Sequence, residues 1–177
     1  MTSPASPTRS DAVRNRDLLV AAAREVLAEQ GLDAPMSAVA KRAGVGQGTL
    51  YRHFPDRLTL ATAVLEENVR DIEQVAARPD ATLADVLGVV TWQMIRSTAF
   101  VGIIRLTDEE SSRFLADRVR TAIDGLPRQT YSTDDLMLAV AMVSGGVHGP
   151  TPEAREAAAR RAWDLLGIEI GPVTAGV

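Results

Sequence analysis

Gln47, Thr49, Tyr51, Arg52 and His53 crowd hydrogen-bond donors and cations into one short stretch. A glutamine amide bridges adenine, a threonine offers its hydroxyl or meets a thymine methyl, and an arginine fork grips guanine. Tyrosine, histidine and arginine also reach phosphate oxygens, which position a protein without reading sequence. Directly upstream lies the small-residue run Ala43-Gly44-Val45-Gly46. An apolar helix before such a turn and a polar helix after it form a helix-turn-helix, whose second helix enters the DNA major groove. The chemistry implied is recognition of double-stranded DNA.

Apolar spacing defines the elements that hold these side chains. Leu19, Ala22, Ala23, Val26 and Leu27 mark one face of a helix from about Asp11 to Gln30, with Gly31 as its C-cap. Pro35 suits the start of the next helix, about Met36 to Ala43, whose inward stripe is Met36, Val39, Ala40 and Ala43. Gly44 permits the tight turn and Val45 plugs it into the core. In the third helix, about Gln47 to Phe54, Leu50 and Phe54 point inward and leave Gln47, Thr49, Arg52 and His53 outside. Asp56 is an N-cap for a long fourth helix reaching about Ala77. Beyond it the chain reads as helical throughout. Leu83, Val86, Leu87, Val90 and Met94 repeat at helical spacing, and Leu115, Val119, Ala122, Ile123 and Leu126 form another stripe. Ser132 or Thr133 caps a nearly all-apolar helix, and Thr151-Pro152-Glu153 opens the last one, ended by Gly167.

The expected fold is all-α with about nine helices. Residues 1–10 form a disordered arm, 11–57 a three-helix DNA-binding domain, 58–170 a helical C-terminal domain and 171–177 a loose tail. The 177 residues are 46% hydrophobic but only 4% aromatic, so the core is aliphatic. There is no cysteine, which removes disulfides, thiolate metal sites and thiol nucleophiles. No segment has the length and apolarity of a signal peptide core or a membrane span, so a cytoplasmic protein is expected. The net charge of −4 is unevenly spread. Residues 1–57 hold eight Lys/Arg against six Asp/Glu, which leaves the remainder at −6. A basic module on an acidic body fits a polyanion met at one end only. Arg9, Arg14 and Arg16 either graze phosphates or belong to a solvated tail.

The first 65 or so residues resemble the TetR family of bacterial transcriptional regulators. The resemblance rests on Leu19-Val20-Ala21-Ala22-Ala23, Leu27-Ala28-Glu29-Gln30-Gly31, Val39-Ala40, Ala43-Gly44-Val45, Gly48-Thr49-Leu50-Tyr51, His53-Phe54 and Arg57. It implies phosphate anchoring by Tyr51, His53 and Arg57, with Ser37 and Lys41 as weaker anchors. Base reading falls to Gln47, Thr49 and Arg52. Gly48 lets the backbone approach DNA or a neighbouring helix. Two positions depart from the family pattern. Pro35 and Met36 stand where a threonine is usual, and Gly46 replaces the serine that precedes the recognition helix. Glycine still caps, but it forfeits a hydroxyl able to reach phosphate.

One such domain reads a half-site, so two must be joined on a palindromic operator. The helix Leu136 to Val143 is apolar around most of its circumference, and its neighbour carries small residues. Leu138, Ala141, Ala158, Ala162 and Leu165 are the expected homodimer contacts, with Trp163 beside them. The other helices are expected to enclose a pocket for a small, largely apolar effector. Trp92, Met94, Ile95, Arg96, Phe100, Ile104, Phe114, Met137 and Met142 are its candidate lining. Arg96 and Arg105 flank the most apolar stretch, where they meet either a ligand's acid or the nearby carboxylates. No cofactor is expected. Nothing assembles an enzyme: two isolated histidines, no nucleophile motif and no metal-spaced cluster. The reading is a ligand-responsive repressor; the alternative is a constitutive DNA-binding protein without effector control.

Overall fold

The computed structural model describes residues 9–96, 109–127 and 130–176. They form eight helices: α1 (Arg9–Gln30), α2 (Met36–Arg42), α3 (Gln47–His53), α4 (Arg57–Ala76), α5 (Leu83–Arg96), α6 (Glu109–Asp124), α7 (Thr133–Gly146) and α8 (Pro152–Leu166). No strand occurs among the described residues, as the sequence predicts. None of these helices is long and apolar enough to cross a membrane.

Local chemistry places the boundaries. The Asp56 carboxylate accepts the Thr59 N–H at 2.7 Å and opens α4. Ser132 caps α7 through the Asp135 N–H, and Thr151 caps α8 ahead of Pro152. Gly31, Gly44 and Gly167 all take positive φ at helix ends, a left-handed conformation that residues with a Cβ rarely adopt.

Two apolar clusters result. The first joins α1, α2, α3 and the N-terminal two thirds of α4. The second joins the end of α4 with α5, α6, α7 and α8. Leu115 of α6 belongs to the first cluster, although α6 is an element of the C-terminal body. Val119, one turn on, packs against both clusters. The two parts of the molecule therefore share α4 and one face of α6. Arg24 of α1 adds an ion pair to Asp71 of α4 at 2.6 Å.

Two expectations fail here. Trp163 was expected beside the dimer contacts, but it is fully buried within the protomer. Its indole N–H donates to Thr91 Oγ1 at 2.9 Å, which satisfies both polar groups in the core. Residues Gly171–Gly176 are not loose. The Gly171 N–H donates to the Ala84 carbonyl at 2.8 Å, Val173 packs on the second cluster, and Gly176 lies against Val75 and Val89. The strap fits because Gly88 has no side chain: a Cβ there would sit 2.4 Å from the Pro172 carbonyl oxygen.

Candidate nucleic-acid interface

Helix α3 is short, so its pose depends on what it buries. Leu50 and Phe54 sit four apart and are almost wholly enclosed by α1, α2 and α4. Val39 and Ala40 of α2 occupy the same cluster, and Val45 plugs the turn between the two helices. The turn is closed by its own backbone. The Gly44 N–H donates to the Lys41 carbonyl and the Val45 N–H to the Ala40 carbonyl. Gly44 takes φ +68°, which redirects the chain sharply enough to set α3 against α2.

This burial leaves a polar outer face. Gln47, Gly48, Tyr51 and Arg52 are exposed, and Thr49 and His53 are half-buried. Ser37 and Lys41 of α2 are exposed as well. Gly46 caps α3 with extended backbone and offers no side-chain bond. A Cβ on Gly46 or Gly48 would meet nothing within 4 Å, so neither glycine is needed for helix packing. Of the two roles read for Gly48, close approach by a neighbouring helix is thus not used.

The cations differ sharply in what they already touch. Arg52 folds back along α3, with Nε donating to the Gly48 carbonyl at 3.2 Å and a terminal nitrogen to Thr49 Oγ1 at 3.0 Å. Arg52 and Thr49 thus form one polar unit on the outer face. Arg57 donates to the Leu32 carbonyl across 25 residues of chain. It ties the start of α4 to the loop between α1 and α2, a positioning role that the sequence does not reveal. Arg16 also turns inward: its guanidinium lies 5.6 Å from the Phe54 ring centroid and 3.7 Å from Glu66. Arg14 is exposed. Lys41 has no ion pair among the described residues.

Arg42, which the sequence reading passes over, is held by two carboxylates. It lies 2.7 Å from Glu25 and 2.7 Å from Glu29. The hydrogen bond from Arg42 pulls the Glu29 carboxyl below its ordinary range, and the same bonds strengthen the arginine's hold on its proton. Glu25 and Glu29 are four apart on one face of α1, the one signal available in the sequence. Arg42 therefore locks α2 to α1.

The expected effector pocket has a counterpart in the C-terminal body. A cavity of about 410 Å³ lies between α4, α5, α6 and α7. Its walls are mostly aliphatic, including Leu65, Val69, Leu115 and Val140, with Ser112 and Ser144 as polar points. Of the residues proposed for an effector pocket, Met94 and Met137 line this cavity. Five other candidates do not. Ile95 is buried away from it, and Trp92 and Arg96 flank a different recess beside α1. Phe114 is 59% exposed and lies under the Arg118 guanidinium on the outside of α6. Met142 points outward from α7 and is 56% exposed. Helical periodicity explains these misses, because it marks a face without saying which neighbour covers it. Phe100, Ile104 and Arg105 lie outside the described residues. Ala141 touches the cavity, while Leu138 and Leu165 are 60% and 76% exposed. Ala158 and Ala162 are half-buried.

Comparison with known proteins follows the same division. Residues 19–64 match the model of bacterial regulatory proteins, tetR family. Two HTH-type transcriptional regulators of Staphylococcus aureus are 42% and 37% identical over 64 and 62 residues. Each match covers 34% of this chain, and the chain spans only about a third of the length of those relatives. Whole-chain likeness appears in solved structures. A TetR transcriptional regulator from Streptomyces coelicolor superposes with TM-score 0.61 at 27% identity, covering 88% of this chain and 98% of that one. A TetR transcription regulatory protein from Mycobacterium vanbaalenii gives TM-score 0.55 at 28% identity, covering 92% and 99%. The span from the middle of α1 into α4 thus matches the tetR family model, and the chain as a whole is similar in fold to solved regulators of that family.

Proposed function

We propose that this protein is a cytoplasmic, ligand-responsive transcriptional repressor. It binds a palindromic operator as a homodimer and leaves it when a small, largely apolar molecule fills the C-terminal cavity. One observation carries the reading. Leu65, Val69 and Leu115 line the cavity and also belong to the apolar cluster that holds Leu50 and Phe54 of the recognition helix. An occupant that spreads α6 from α4 acts on the packing that fixes α3. Packed interiors answer by shifting whole elements, because they do not deform freely. Two recognition helices then fall out of step with successive major grooves. The loss of affinity equals the coupling energy, typically about 1–3 kcal/mol.

In this reading Gln47 and the Thr49–Arg52 unit read base edges. Tyr51, His53, Ser37 and Lys41 anchor phosphates. Arg57 contributes mainly by holding the loop at Leu32, with its remaining donors available to the backbone of DNA. Selection from a random DNA pool tests this directly. The expected product is a two-fold-symmetric site with half-sites about one helical turn, or a multiple, apart. Enrichment of no sequence overturns specific regulation. An operator whose binding no compound from an apolar panel weakens, in a protein whose cavity binds none of them, favours constitutive binding instead.

A further inference from the structure

A second recess lies outside the central cavity, where α1 meets α4 and α5. It encloses about 350 Å³ and is lined by Arg24 of α1, Val64 and Asn68 of α4, and Trp92, Gln93 and Arg96 of α5. Three features set it apart from ordinary packing. Gln93 is 2% exposed, and its amide N–H donates to the Asn68 carbonyl at 2.9 Å. That bond uses one amide N–H and leaves Oε1 without any hydrogen-bond partner. Among the described residues it is the one buried side-chain polar atom left so. A buried acceptor without a donor is costly and calls for a partner. Arg96 follows three residues later on the same helix face. It is exposed and has no carboxylate partner among the described residues; its guanidinium lies 5.6 Å from the Trp92 ring centroid. Of the other charges at the recess, Arg24 is paired with Asp71, and the lining carboxylate Glu25 shares Arg42 with Glu29.

We propose that this recess is a second small-molecule site, taking a flat aromatic acid that also bears an O–H or N–H donor. The carboxylate pairs with the unmatched Arg96, and the ring lies along Trp92 and Val64. The donor reaches Gln93 Oε1 after a small rotation of the amide. The site differs from the apolar central cavity in both place and chemistry. Its occupant bridges the DNA-binding helices and the body, so it stiffens their junction.

Titration with 4-hydroxybenzoate, followed by the fluorescence of Trp92 in a Trp163→Phe background, tests the proposal on the full chain. Benzoate is the control that lacks the donor. The expected result is saturable binding at millimolar strength or better, with benzoate weaker by about fivefold, the worth of one hydrogen bond. Arg96→Ala, a surface change that leaves the fold alone, is expected to weaken binding about tenfold, as loss of a charged bond does. Gln93→Leu is expected to remove the preference for the hydroxyl while keeping the Arg96 dependence. Saturable binding that neither variant alters places the ligand elsewhere and overturns the proposal. So does an absence of saturation. Because no DNA is present, failure here leaves the operator reading untouched.

Discussion

At the scale of single residues, the outer face of the helix-turn-helix divides into cations that are engaged and cations that are free. Lys41 and Arg42 are neighbours in sequence, yet Arg42 is gripped by Glu25 and Glu29 while Lys41 stands exposed. Each phosphate contact contributes about 0.9 to the slope of log affinity against log salt. Lys41→Ala is therefore expected to flatten that slope by about 1 and to weaken binding to all sequences alike. Arg42→Ala is expected to leave the slope unchanged and to lower the melting temperature by loosening α2 from α1. Equal slopes for Lys41→Ala and the wild type in a salt titration would remove Lys41 from the phosphate contacts. The polar face itself was legible from Gln47 to His53, because donor type and helical spacing are written in the residues. The tether from Arg57 to Leu32 and the lock at Arg42 were not. Both depend on which loop or helix folds against the side chain, a fact that lies 13 to 25 positions away.

At the scale of elements, helix ends were read most faithfully because capping is local. Asp56, Ser132, Thr151, Gly31 and Gly167 all act within a turn of the residue itself. The strap of Gly171–Gly176 over α5 and the burial of Trp163 were missed, since each rests on a partner far along the chain. The Asp56 cap has a testable pH signature. The Thr59 backbone N–H, then its hydroxyl, holds the carboxyl below its ordinary value of 3.8. A carboxylate whose folded pKa lies below the unfolded one stabilises the fold fully above the unfolded value. That contribution disappears as pH falls through the folded value. Asp56→Ala is expected to melt at a lower temperature than wild type at neutral pH, with the gap narrowing as pH falls below the ordinary carboxyl value of 3.8. Asp56→Asn keeps a capping oxygen but loses the charge, so it is expected to melt between Asp56→Ala and wild type at neutral pH. A gap that stays constant with pH would mean the charge of Asp56 does not stabilise α4.

At the scale of the whole molecule, the question is what covers Leu138, Met142 and Leu165. All three are large, apolar and more than half exposed, on the adjacent helices α7 and α8. A soluble chain seldom leaves such a patch bare, and half-buried Ala158 and Ala162 allow another helix pair to approach closely. A second copy of the same face meets these needs through a two-fold axis, which also gives two recognition helices related as a palindrome requires. The double change Leu138→Glu with Leu165→Glu puts four like charges across that axis and touches no core residue of either cluster. Helical circular dichroism is expected to stay unchanged while sedimentation velocity shows a monomer. Operator affinity is then expected to fall by about 10²–10⁴, the avidity lost when the second half-site is no longer held at high effective concentration. Binding to a single half-site is expected to stay near wild type, which separates loss of pairing from damage to the recognition helix. A variant that still sediments as a dimer would move the interface off α7 and α8. A monomer that keeps full operator affinity would mean that one DNA-binding domain suffices.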